Sequence, residues 1–103
     1  MSSNIADLLK EYIEQTVQNL VDKPEAVKIT CSVSTKLVIV QIEVEPNDRG
    51  KIIGKGGRII DAMKVIVSAI KNARFPKDPK KVALEIIEDE SPKLSYLESR
   101  GGR

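Results

Sequence analysis

Ile52-Ile53-Gly54-Lys55-Gly56-Gly57-Arg58-Ile59-Ile60 is the stretch from which the rest of the chain is read. An aliphatic pair leads into a G-x-x-G loop, and a second aliphatic pair follows it. Glycine lacks a Cβ, so it reaches positive φ cheaply and lets another backbone come close. Gly57 leads into a helix, whose first N–H groups and dipole favour an anion. Lys55 lies at the loop tip, Arg58 just inside the helix, and Lys51 and Arg49 in the preceding turn. Together these residues predict contacts to phosphate from several directions. Ile53 and its neighbours supply an aliphatic surface on which unstacked bases could rest. The chain has no Trp, one Phe and two Tyr, which argues against surfaces built from stacked aromatics.

The elements on either side of the loop follow from periodicity. Downstream, Ile59, Ile60, Met63, Ile66, Val67 and Ile70 recur at helical spacing and end near Ala73. Ile59, Ile60, Met63, Ile66 and Ile70 are expected in the core, with Val65 and Ala69 off that stripe. Phe75-Pro76-Lys77-Asp78-Pro79 reads as a loop, and Val82, Leu84 and Ile86 alternate as a strand. Upstream, Ile5, Leu8, Leu9, Tyr12, Ile13, Val17, Leu20 and Val21 mark one helix face, with Asn4 as its N-cap. Val27, Ile29, Cys31 and Val33 alternate in a first strand, which makes Cys31 a core thiol. Ser34-Thr35-Lys36 turns into a second strand, Leu37 to Glu45, with Val38, Val40, Ile42 and Val44 on one face. The two strands predict a hairpin. Asn47 or Asp48 is expected to cap the short helix before the loop.

Composition fits one folded domain. The chain has 103 residues, of which 41% are hydrophobic and 31% charged. No apolar stretch approaches the roughly 20 residues of a membrane span. The start lacks a basic segment followed by an apolar one, so no signal peptide is expected and the expected location is cytoplasmic. The single cysteine excludes an internal disulfide. There is no histidine, and the acids of Glu85 to Glu90 have no evident nucleophile or metal partner. Neither catalysis, a cofactor nor a metal site is expected. Charge is unevenly distributed. Between Arg49 and Lys81 ten basic residues face two acids, a net +8 within a total of +2, so the remainder carries −6. That asymmetry is the footprint of a polyanion-binding face.

The glycine loop, its aliphatic flanks and the element order resemble the KH signature in its prokaryotic, type II form. Size and sequence are similar to the small bacterial KhpA family, over about Ile5 to Glu88. The resemblance implies an α+β fold ordered α-β-β-α-α-β, with a three-stranded sheet and helices packed on one face. It assigns residues 1–90 to the KH domain and 91–103 to a C-terminal tail, expected to be flexible. Gly54 and Gly57 become the motif glycines, Lys55 and Gly56 the variable pair, and Ile53 and Ile60 the aliphatic flanks. The implied function is binding of single-stranded RNA with broad sequence preference, as an RNA chaperone linked to control of cell shape and division. The implied partners are a larger KH-containing protein of the KhpB, or Jag, type and a second copy of the chain.

Other readings of these residues are weaker or concern assembly. The loop lacks the G-x-x-x-x-G-K-[ST] spacing of a mononucleotide-binding loop. An isolated G-x-x-G can simply be a tight turn. The alternative to RNA binding is a KH-fold interaction module acting mainly as a dimer or heterodimer subunit, motivated by the extra apolar width of the second long helix. The terminal Arg100-Gly101-Gly102-Arg103 resembles a single RGG element, but is read as a solvated end.

Overall fold

Val38, Val40, Ile42 and Val44 alternate along the chain, and all four are buried. The first three belong to the central strand of a three-stranded sheet in the computed structural model, which describes residues 4–88, and Val44 follows just after it. The elements run α1 (Ile5–Gln18), β1 (Lys28–Val33), β2 (Leu37–Glu43), α2 (Arg49–Ile53), α3 (Arg58–Arg74) and β3 (Lys81–Ile86). Strand order is β1-β2-β3. β1 and β2 form the expected antiparallel hairpin, with Cys31 opposite Val40. The hairpin turn is held by Ser34, whose N–H donates to the Leu37 carbonyl at 2.8 Å. β3 pairs with β2 in parallel, from Leu37 opposite Lys81 to Ile42 opposite Ile86. A parallel pair needs a long crossover, and here that crossover is α2, the glycine loop and α3. This is the type II KH arrangement, with the helices packed on one face of the sheet. The segment proposed as the tail, with its Arg-Gly-Gly-Arg end, lies outside the described residues.

The core lies between that sheet face and the helices. Leu9, Ile13 and Val17 of α1, Ile52 of α2 and Met63 and Val67 of α3 pack against Ile29, Val38, Val40, Ile42 and Leu84. Asn4 caps α1 as expected, its Oδ1 accepting from the Asp7 N–H at 2.9 Å. Cys31 is half-buried against this core, and burial pushes its thiol pKa up. That matches a packing thiol and not a reactive one.

Three expectations change. Val33 sits in the apolar phase of β1 but is 48% exposed, because it ends an edge strand, whereas its partner Val38 on the central strand is fully buried. On α3, Val67 is fully buried and Ile66 is 43% exposed. An apolar stripe this wide fixes the helix but not the angle at which it meets the sheet. The third change concerns Asp48. It stands at the N-cap position of α2, yet its side chain makes no capping bond there.

Asp48 instead ties the loop-bearing helix to the other side of the molecule. Its carboxylate is 2% exposed and accepts from the Lys23 N–H at 3.1 Å, in the connection after α1. Burial alone would push this carboxyl up. The N–H bonds from Asp22 and Lys23 and the Lys51 ammonium outweigh it and hold the pKa below the ordinary value. Lys51 spans Asp48 and Asp22 at 3.6 and 3.4 Å. A carboxyl with a depressed pKa in the fold stabilises above its unfolded value, and the effect is lost as pH falls through the folded value. Stability of the parent should therefore decline as pH drops below about 4. The Asp48→Asn variant should be less stable at neutral pH and show a flatter decline in that window. Denaturant midpoints across the acid range test this, and identical profiles for the two proteins would overturn it.

Candidate nucleic-acid interface

The loop between α2 and α3 folds as a single tight turn. The Gly54 N–H donates to the Gly50 carbonyl at 2.9 Å, closing α2. Gly54 then leaves at φ 79° and ψ 170°, a region open essentially to glycine alone. A Cβ added at Gly54 would lie 2.6 Å from Ile59 Cγ1 and 2.9 Å from the Ile59 nitrogen. The close approach that demands a glycine here is therefore internal, between the end of α2 and the start of α3. Gly56 and Gly57 differ from it. Both have positive φ, at 65° and 79°, and a Cβ at either would meet nothing within 4 Å. These two glycines bend the chain and leave its outer side bare.

The cations fall into two groups. Lys55 and Arg58 are exposed at the loop and at the first position of α3, and among the described residues neither forms an ion pair. Lys51 is occupied by Asp22 and Asp48, and the hydrogen bond to Asp22 leads the causes that raise its pKa. Arg49 is half-buried, with its Nε enclosed. Lys51 and Arg49 thus hold the approach to the loop, while Lys55 and Arg58 present charge outward. The backbone differs from expectation as well. The Gly57 N–H is bonded to the Gly54 carbonyl at 3.0 Å, and the Arg58 N–H to the Lys55 carbonyl. Attraction for an anion at this helix end rests on the dipole of the 17-residue α3 and on two exposed side chains.

The aliphatic residues divide in the same manner. Ile52 is fully buried in the core. Ile53 is half-exposed and lies outside the core cluster, whereas Ile59 and Ile60 are partly buried against it. The aliphatic pair before the loop therefore has one residue for folding and one beside the cationic surface. Sequence reasoning missed Asp48, because its partner lies 25 residues away on another element. It also missed Lys71, which is 6% exposed at a core-facing position of α3.

Gly54→Ala should destabilise the fold by at least about 2 kcal/mol, because it combines a glycine-only backbone region with a clash against α3. Gly57→Ala should cost less, because only its φ is unfavourable. Urea midpoints of the two variants test this order, and equal losses would overturn the internal role of Gly54.

Three comparisons bear on this architecture. A family model described as "KhpA/KhpB, KH domain" matches residues 10–86. The chain is 40% identical to the RNA-binding protein KhpA of Clostridium perfringens over 79 residues, which covers 77% of this chain and 100% of that protein. Identity is also 40% to the RNA-binding protein KhpA of Aquifex aeolicus, over 78% of this chain and 96% of that one. The RNA-binding protein KhpA of Chlamydia trachomatis is 40% identical over 79% of this chain and 99% of its own length. No solved structure gives a match. The family model takes in both strands of the hairpin, the glycine loop and β3, so the chain belongs to the KhpA/KhpB family of KH-domain proteins.

Proposed function

We propose that the chain binds single-stranded RNA, holding its sugar-phosphate backbone at the Gly54-Lys55-Gly56-Gly57 loop. The observation that carries this reading is the bare outer side of Gly56 and Gly57, flanked by the exposed Lys55 and Arg58. A phosphate can approach such a backbone without meeting a side chain, with two cations beside it. Ile53 offers the adjoining base an aliphatic surface. None of these groups reads base edges through a fixed set of hydrogen bonds, so sequence preference is broad. Relatives named as RNA-binding proteins support the reading. The finer parts of the proposal rest on family membership: action as an RNA chaperone in the cytoplasm, with a KhpB/Jag-type partner, in control of cell shape and division.

The Lys55→Asp/Gly56→Asp double variant tests the loop. Asp tolerates the left-handed backbone at position 56 better than most residues, and its side chain would point into open space. The fold should survive, as circular dichroism would report. Affinity for single-stranded RNA should fall at least about tenfold, since a charged hydrogen bond is worth roughly 1.5–3 kcal/mol. A folded double variant that binds as well as the parent would sink the assignment.

A second reading concerns assembly, and one observation favours it. Val65 is 67% exposed and Ile66 is 43% exposed on α3, with Ala62, Ala69 and Ala73 also exposed nearby on the same helix. Small residues around two branched ones let a second helix come close. A second copy of the chain is the proposed occupant, and it would bring two weak RNA sites into one particle. Sedimentation of the parent should report a dimer, and Ile66→Glu a monomer with intact secondary structure. A parent that sediments as a monomer at high micromolar concentration would remove this reading.

A further inference from the structure

Much of the basic run lies far from the glycine loop. Lys71 falls near the opposite end of α3, Lys77 and Lys80 in the connection that follows, and Lys81 at the start of β3. There α3 and β3 border an open cleft of about 380 Å³, lined by Ser68, Lys71, Asn72, Lys80 and Lys81 among others. Its floor is built. Lys71 is buried, and its ammonium donates to the Asp78 carbonyl, which draws the α3–β3 connection against the helix. The Lys80 N–H donates to Asp78 Oδ1 at 2.9 Å, and the Lys80 ammonium lies 3.3 Å from Oδ2. The one carboxylate here thus holds the Lys80 ammonium, the Lys71 ammonium is bonded to the main chain, and the exposed Lys81 adds a third cation. Ser68 and Asn72 add neutral donors at the rim. An excess of positive charge, in an open cleft with hydroxyl and amide donors, fits a phosphodiester.

The position along α3 connects this cleft to the loop. Lys64, Ser68 and Asn72 follow one another at intervals of four, so they line one flank of the helix. From Gly57 to Ser68 and Asn72 the helix rises about 16 to 22 Å. We propose that the cleft between α3 and β3 is a second phosphate site, which takes the RNA backbone beyond the nucleotides held at the glycine loop. The inference deepens the RNA-binding reading and rests on it. Its consequence is length selectivity. A KH loop clamps about four nucleotides, and only a longer strand can continue along the Lys64 flank and pair its phosphates with the lysines of the cleft.

The test uses the full chain, with oligouridine of about four and about twelve nucleotides as probes across a salt series. The parent should bind the longer probe more tightly and with a steeper salt dependence. Lys80→Glu/Lys81→Glu should leave the short probe unaffected and remove the gain with length. The salt slope for the long probe should fall by about 0.7 for each phosphate that is no longer neutralised. Lys71 is left intact because it holds the fold. Lys80→Arg/Lys81→Arg should behave as the parent. Lys10→Glu/Lys28→Glu makes the same charge change on α1 and β1, away from the cleft, and should keep the length gain. The proposal is overturned if the cleft variant keeps the gain, or if the control variant loses it equally. The Lys55→Asp/Gly56→Asp variant separates the two sites. If it binds both probes normally while the cleft variant loses the long one, the loop reading fails and the cleft stands.

Discussion

Gly54 pressed against Ile59 is the contact on which the glycine-loop end of this molecule depends. It joins two helices through a turn with no room for a side chain, so α2 ends and α3 begins in a fixed mutual direction. Asp48 secures the other end of α2 by accepting the Lys23 N–H. A five-residue helix is too short to hold its own shape in water. Held at both ends, and anchored by the fully buried Ile52, it becomes a rigid lead-in to the loop. The bare backbone of Gly56 and Gly57 is then presented by a frame that has little freedom to move.

The same short segment separates inward-facing from outward-facing groups residue by residue. Ile52 faces the core, and Ile53 remains half-exposed. Lys51 is occupied by Asp22 and Asp48, while Lys55 and Arg58 face outward. Gly54 serves the packing of α3, and Gly56 and Gly57 serve the open surface. A substitution one position along can therefore exchange a change in the packed interior for a change confined to the surface.

The secondary structure was largely legible because each element repeats its signal. β2 buries every second residue three times over, and α1 carries its stripe over four turns with Asn4 in place to cap it. The glycine spacing located the loop for the same reason. What could not be read lies in contacts between distant residues. Asp48 resembles an N-cap in the linear chain, and only the folded chain brings Lys23 to it. Lys51 and Arg49 count as charges in a sequence, yet ion pairing and enclosure change what they can offer. Ile66 and Val67 are neighbours in a broad apolar stripe, and the choice between them belongs to the sheet beneath α3. Lys71 is a cation at a core-facing position, which no hydrophobic pattern would choose.

The parallel pairing of β2 with β3 has a consequence for how the protein reaches this state. Partners in that ladder are 44 residues apart, from Leu37 and Lys81 onward, and everything between them must be arranged before the ladder can close. The hairpin of β1 and β2 needs only a local turn and can form early, whereas closing a long chain segment is slow. The glycine loop lies inside that late-closing segment. The cover of α3 over the sheet is complete only when β3 docks. A nascent chain that has not yet released β3 from the ribosome therefore lacks the parallel half of its sheet, whatever local structure its loop has reached.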